Sequence, residues 1–347
     1  VTGVSVLGPW PGTKVLEAQR TAVDELARAP HGVEPLPPTV QLPSRGPWAE
    51  SVARTAALLP EMPVELGPHG WKLADRPGAD QRRTEALLRE DLDALAVAAH
   101  GWTGRLVVSV RGPWSLAAIL YLARGDRVLA DAGAVRDVVA ALAEGLGPLL
   151  ASVRASVPGA EPVVVLREPM LPDVLGGTVA TFSGHGRLAA VEGELVAQGL
   201  TSVVDGARAA GAVEVVAHGG LRFASRALTA LAASGADAVG LGADAVRGPQ
   251  WEQVAAVVEA GRRMWFGLPP ERNGRRTDVA KVARGIARPW TAVGLPARDL
   301  ADVAVHVEAS PTLTGGDLVI NDLRALRPAI ASAVRVAAEL AETADAG

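Results

Sequence analysis

Short β-branched runs alternate with longer stretches of helical period along almost the whole chain. Runs such as Val107-Val108-Ser109-Val110 and Val163-Val164-Val165-Leu166 carry little polar interruption, as strands buried on both faces of a parallel sheet do. Eight strands are predicted: Val4 to Gly8, Thr39 to Leu42, Arg105 to Arg111, Pro162 to Arg167, Val213 to Ala217, Ala238 to Leu241, Met264 to Gly267 and Val303 to Glu308. Between them lie helix patterns at Asp80 to Ala99, Ala134 to Ser156, Arg187 to Ala210, Ser225 to Ser234, Gln250 to Ala260 and Asp278 to Ala287, with Leu323 to Thr343 closing the series. Eight βα units predict an α/β fold, a single (β/α)8 TIM barrel over residues 1–347, with an open doubly wound sheet as the alternative. The rhythm breaks once, where about 60 residues separate the second and third strands, so a loop or hairpin excursion is expected around 44–79. Pro63 to Asp75, carrying His69 and Trp71, is its core. Pro30 to Pro43 is rich enough in proline for an interdomain linker, but the residues before it are too few to fold alone.

Composition narrows the partners. Of the 347 residues, 49% are hydrophobic and 21% charged, which predicts a soluble globular chain with a large core. The net charge is 34 − 38 = −4 and no block of like charge stands out, so neither nucleic acid nor an anionic membrane surface is an expected partner. A small-molecule ligand is. No apolar stretch runs unbroken for the roughly 18 residues a membrane helix needs, and Val1 to Thr13 lacks the basic start of a signal peptide, so a cytoplasmic location is expected. The chain has no cysteine, which excludes disulfides, thiolate metal sites and a thiol nucleophile together.

In such a barrel the chemistry belongs at the carboxyl ends of the strands. The first strand ends Leu7-Gly8-Pro9-Trp10, where Gly8 permits close backbone approach and Trp10 offers a flat face. Arg111 and Arg167 end the third and fourth strands; two guanidinium forks at one mouth suit an anionic ligand, a carboxylate or phosphate, unless each pairs with Glu168 or Asp173. His218 ends the fifth strand before Gly219 and Gly220. His306 and Glu308 are two apart on the eighth, and both point into the barrel if Val303, Val305 and Val307 face the helices. They are then either an internal hydrogen-bonded pair or, with His218, a nitrogen and oxygen metal site. Trp10, Trp71 and Trp114 either stack on a flat ligand or pack between helices. Gly176-Gly177 and Gly219-Gly220 read as turns, and Arg272 to Arg276 as a solvated loop or a basic lid.

The order of these strand ends resembles the catalytic C-terminal barrel of cobalamin-independent (vitamin-B12-independent) methionine synthase, and more closely the family's short single-barrel members. Gly8-x-x-Pro11-x-Thr13 is similar to the family's first turn, Gly112-Pro113-x-Ser115 to its Gly-Pro-x-Thr, and Glu168-Pro169-x-Leu171 to the latter part of its Asp-Glu-Pro-x-Leu. Asp131-Ala132-Gly133-Ala134-Val135-Arg136-Asp137, with Leu142-Ala143-Glu144-Gly145 behind it, is particularly like the short members. The resemblance runs over nearly the whole chain and implies a barrel of the methionine synthase and uroporphyrinogen decarboxylase type. It implies a methyltransferase acting on a thiol, with methyl-tetrahydrofolate as donor and zinc as cofactor. The candidate catalytic residues are His218, Glu168 and Asp173, and the candidate substrate-binding ones are Arg111, Arg167, Gly8, Trp10 and Ser115, the two arginines on the strength of their strand-end positions.

The sequence departs from that pattern at the metal. His218 holds the family's histidine position, but Gly220 stands at one cysteine, Gly242 at the glutamate, and Ser310 or Pro311 at the other cysteine. Arg167 replaces the aspartate that grips the substrate's ammonium group, and Pro9 replaces a serine. No histidine stands in Phe266 to Pro270, where the family has its proton donor. No cofactor is therefore expected to bind in the family's manner; the only substitute metal set is His218, His306 and Glu308. Two alternatives follow: a non-catalytic or diverged barrel binding an anionic small molecule, and a metal-independent, decarboxylase-like enzyme.

Overall fold

The computed structural model describes residues 1–268, 278–308 and 323–347. In chain order the elements are β1 (Thr2–Leu7), α1 (Val15–Leu26), β2 (Val33–Leu36), α2 (Ser51–Ala56), β3 (Val64–Gly67), β4 (Gly70–Leu73), α3 (Ala79–Ala98), β5 (Thr103–Arg111), α4 (Pro113–Ile119), α5 (Ala132–Ser156) and β6 (Gly159–Arg167). There follow α6 (Leu171–Gly176), α7 (Gly193–Ala209), β7 (Glu214–His218), α8 (Ser225–Ala233), β8 (Ala238–Gly242), α9 (Gln250–Glu259), β9 (Arg263–Leu268), α10 (Val279–Ala292), β10 (Ala304–Glu308) and α11 (Leu323–Ala346).

Eight parallel strands form one sheet in the order β2-β1-β10-β9-β8-β7-β6-β5, while β3 and β4 make a separate antiparallel hairpin. The sheet curls into a nearly closed barrel. Its seam is stitched just beyond β2, where Val107 of β5 donates to the Pro37 carbonyl at 2.8 Å and accepts from the Thr39 N–H at 2.8 Å. The second strand therefore differs from the expected Thr39 to Leu42. Residues 33–36 pair with β1 in spite of Pro35, and the predicted run supplies single contacts instead, among them the Trp10 N–H to the Gln41 carbonyl at 2.7 Å.

Alternation along each strand divides the core in two. Val107, Val163, Val165, Val216, Ala238, Trp265 and Ala304 form an inner cluster, while Val108, Val164, Val215, Val239, Met264, Val303, Val305 and Val307 belong to the outer one beneath the helices. His306 therefore faces inward, as its spacing predicts, and is buried. At the amino-terminal end of the barrel, buried Glu214 pairs with Arg105 at 3.4 Å and with Arg263.

Helix α7 starts at Gly193 and not at Arg187, because Arg187 bridges Ala180 and Leu188 donates to the Val179 carbonyl at 2.8 Å. Helix α5 is the other correction: at 25 residues, with an 18-residue window of mean hydropathy 1.4, it is long and apolar enough to cross a membrane. Its apolar side is turned onto the barrel, with Val138, Leu142, Leu146, Leu150 and Val153 all buried. The motif around Asp131 is explained by this helix. The Asp131 carboxylate accepts from the N–H groups of Gly133 (2.7 Å) and Ala134 (3.0 Å), capping α5, and those two bonds hold its pKa below the usual carboxylate value. A Cβ on Gly145 would lie 2.0 Å from the Leu58 carbonyl oxygen, so that glycine is a point of close packing.

Candidate functional site

Arg111, Arg167 and His218 are register partners on adjacent strands β5, β6 and β7, at their carboxyl ends. Each lies an even number of residues beyond an inner valine (Val107, Val165 and Val216), which places all three on the inner face of the barrel.

His218 is fully buried, and its ring crosses the inside of the barrel to His306, with the two Nε2 atoms 2.9 Å apart. The Gly220 N–H donates to His218 Nδ1 at 3.0 Å. Neutral His218 therefore carries its proton on Nε2 and donates it to Nε2 of His306, whose own proton then sits on Nδ1. Burial, reinforced by the Arg167 charge, pushes the His218 pKa down to about 3, so the ring is neutral at pH 7.

Glu168 is also fully buried, but it serves the scaffold. Its carboxylate accepts from the N–H groups of Trp114 (2.9 Å) and Ser115 (2.6 Å) in the first turn of α4, and from the Ser115 hydroxyl. Ser115 Oγ accepts in turn from the Met170 N–H at 3.0 Å, tying the end of β6 to the end of β5. Gly112 is required here: a Cβ would lie 2.4 Å from Glu168 Oε1. Burial raises the Glu168 pKa to about 7 against these bonds and the Arg111 charge. Arg111 donates from Nε to Ser51 Oγ of α2 at 2.8 Å.

Ser115 is fully buried beside Glu168. Gly8 has φ +108°, the turn conformation expected of it. Trp10 is buried to 1% exposure, and Trp71 and Trp114 are nearly as covered; Trp114 donates from Nε1 to the Val196 carbonyl of α7 at 2.9 Å. All three tryptophans pack in the core and present no stacking face. Asp173 accepts from Thr178 Oγ1 at 2.8 Å and pairs with Arg222. Arg272 to Arg276, Ser310 and Pro311 lie outside the described residues, as does the side chain of Glu308.

Zinc of the methionine synthase kind does not fit these donors. Both His218 nitrogens are engaged within the protein. A Cβ at Gly220, whose φ is +78°, would lie 3.2 Å from Pro169 Cα, and one at Gly242 would lie 2.9 Å from the Leu221 carbonyl oxygen. Among the described residues, no three His, Asp or Glu side chains are grouped to hold a metal.

Sequence reasoning missed Gly240. It is the register partner of His218, and a Cβ there would lie 2.0 Å from His218 Cδ2, so its absence lets the imidazole reach across β8. The signal was a glycine at an inward position beside an inward histidine. Sequence reasoning also missed the cluster of Tyr121, Phe182 and His69 at the rim, because the three residues lie in loops far apart in the chain.

No protein-family model matches the sequence, and no curated protein matches it. Among solved structures the chain is similar to a B12-independent methionine synthase from Shewanella sp. W3-18-1 in complex with selenomethionine, at 12% identity and a TM-score of 0.52, over 98% of this chain and 96% of that one. It also matches a GH5-4 broad-specificity endoglucanase from an uncultured bovine rumen ciliate, at 12% identity and a TM-score of 0.37, over 76% and 78% of the two chains. A third match is the carboxyl transferase domain of Rhizobium etli pyruvate carboxylase, at 10% identity and a TM-score of 0.26, over 73% and 43%. The likeness to the methionine synthase is one of fold, and it shows an α/β barrel of the TIM type spanning the chain.

Proposed function

We propose that this chain is a diverged barrel of methionine synthase type whose carboxyl-end mouth binds a small anionic molecule, a carboxylate or a phosphate, gripped by Arg167 and Arg111. The observation that carries this reading is the register pairing of those two arginines on the inner face of neighbouring strands. Strands in a sheet run about 4.8 Å apart, so the two side chains start side by side at the mouth, and two planar forks of donors there suit the paired oxygens of a carboxylate or phosphate. The Arg167 charge already reaches inward far enough to lower the His218 pKa.

The same residues argue against zinc-assisted thiol methylation. That chemistry needs about three protein ligands around the metal, and the one family ligand present, His218, has both nitrogens in use. Methylation of homocysteine from methyl-tetrahydrofolate is therefore not expected. An arginine at position 167 also repels the ammonium end of an amino acid.

Isothermal titration of the wild type, Arg167→Ala and Arg167→Lys tests the reading against dicarboxylates, phosphate monoesters and free amino acids. The expected result is a preference for anions that weakens in both variants, more in Ala than in Lys, with unchanged circular dichroism. Tighter binding of homocysteine than of any anion, or full anion affinity in Arg167→Ala, overturns it.

A further inference from the structure

Beside the mouth, on the same rim, is a cleft of about 570 Å³ walled by His69, Tyr121 and Phe182, with Lys72 and Asp126 at its polar edge. Its three walls come from segments that each lie between a barrel strand and the next long helix. These are the β3–β4 hairpin before α3, residues 120–130 before α5, and residues 177–192 before α7. All three therefore emerge on the carboxyl-end face.

The cleft is fixed by bonds within the protein. Tyr121 joins the hairpin as an extra strand residue, donating to the Trp71 carbonyl at 2.9 Å and accepting from the Leu73 N–H at 2.8 Å. Asp126 accepts from the Phe182 N–H at 2.9 Å. Arg127 donates from Nε to the Ala180 carbonyl at 3.1 Å while its guanidinium covers the Tyr121 ring at 4.8 Å. Phe182 is held nearly perpendicular to His69 (centroids 4.8 Å apart, 78°) and to Tyr121 (5.9 Å, 89°). Yet the Phe182 ring is 51% exposed. A phenylalanine held rigidly by two other rings and left half open to a concavity keeps apolar surface in water, which a packing role would have covered. The volume lies within the range of small-molecule sites, roughly 300–1,000 Å³.

We propose that this cleft is a second small-molecule site, and that it takes a flat aromatic or heteroaromatic ring against Phe182, Tyr121 and His69. Phe182, with His69 and Tyr121 each set edge-to-face against it, offers the stacked and T-shaped geometries that planar π systems favour over saturated ones. Lys72, paired with Glu65 at 2.8 Å, and Asp126 put hydrogen-bonding groups at the periphery, where a ring's polar substituents lie.

Tyr121 is the only tyrosine in the chain, which gives the test a single reporter. Protein made with 3-fluorotyrosine is titrated with adenine, indole and, as a saturated control, cyclohexanol, following the one ¹⁹F resonance. At least one of the two planar rings is expected to shift it saturably, with cyclohexanol at least about tenfold weaker. Phe182→Leu, which keeps apolar volume but removes the ring, is expected to weaken that binding about tenfold, while Arg167→Ala leaves it unchanged, separating the cleft from the mouth. The proposal is overturned if neither ring gives a saturable shift, if cyclohexanol binds equally well, or if Phe182→Leu retains wild-type affinity.

Discussion

The imidazoles of His218 and His306 meet inside the barrel, Nε2 to Nε2 at 2.9 Å, over two intervening strands whose inward positions, Gly240 and Gly267, are glycines. Sequence separates the two histidines by 88 positions. Gly240→Ala tests how tightly this bridge is confined, because the new Cβ would lie 2.0 Å from His218 Cδ2, far inside van der Waals contact. Overpacking of a full core costs about 1–3 kcal/mol, and the ring cannot retreat without breaking its bond to His306. Urea denaturation should show a loss of that order. Gly285→Ala in α10, where an added Cβ meets nothing within 4 Å, should be neutral or stabilising by up to about 1 kcal/mol. Equal behaviour of the two variants would contradict the packing.

His218 and Glu168 oppose one another in pH dependence. The His218 pKa falls from 6.5 to about 3 on folding, so between those values the unfolded chain binds the extra proton, and stability drops as pH is lowered. The Glu168 pKa rises from 4.5 to about 7, so there the folded chain holds the extra proton, and stability drops as pH is raised. From pH 4.5 to 6.5 the two slopes, each up to about 1.4 kcal/mol per pH unit, cancel. Relative to wild type, His218→Gln should lose stability with rising pH across that window and Glu168→Gln should gain it. Denaturation series at several pH values read the two differences; parallel profiles for both variants would refute the pairing.

Much of the barrel was legible because period-two alternation and helical period are local properties of the chain. Val303, Val305 and Val307 facing the helices put His306 inside, as the spacing alone implied. What was not legible came from contacts between distant segments. Pro35 hides β2, since a residue without an N–H weakens any strand reading, although β1 completes that strand from outside its own sequence. Arg187 and Leu188 continue a helical period into α7, yet their pairing with Ala180 and Val179 holds them out of the helix, which starts only at Gly193.

The candidate site was legible in position more than in role. Strand-end reasoning found Arg111, Arg167, His218 and Glu168, but the type of residue says nothing about whether its acceptors face solvent or a neighbouring turn. Glu168 and Ser115 are occupied with each other, and Trp10 with the core; only the packed structure distinguishes those uses from ligand binding.

Asp173 is the clearest case of a carboxylate whose position suggests more than its surroundings support. It pairs with Arg222, with side chains 24% and 46% exposed respectively, so water screens much of the attraction and such pairs contribute about 0–1 kcal/mol. Asp173→Asn should therefore change stability by less than about 1 kcal/mol and leave anion affinity at the mouth within about twofold. Titration calorimetry on the variant checks this, and a tenfold loss of affinity would return Asp173 to the binding site.

Glu168 calls for the opposite expectation. Its carboxylate satisfies two N–H groups at the start of α4 and holds the Ser115 hydroxyl, all in a space closed to water. Truncation to Ala leaves two buried donors without an acceptor, at about 1–3 kcal/mol each, and opens a cavity behind Gly112. Glu168→Ala should thus lose roughly 3–6 kcal/mol, enough to unfold a marginal domain at growth temperature. Glu168→Gln keeps one acceptor oxygen and the volume but turns an amide N–H toward a donor, so an intermediate loss is expected. Gly112→Ala should resemble the Ala variant from the other side, because its Cβ would displace the carboxylate that lies 2.4 Å away. Thermal denaturation of the three orders them. If Glu168→Ala is as stable as wild type while anion binding collapses, the residue acts on ligand and not on the fold, and its place among the catalytic candidates is restored.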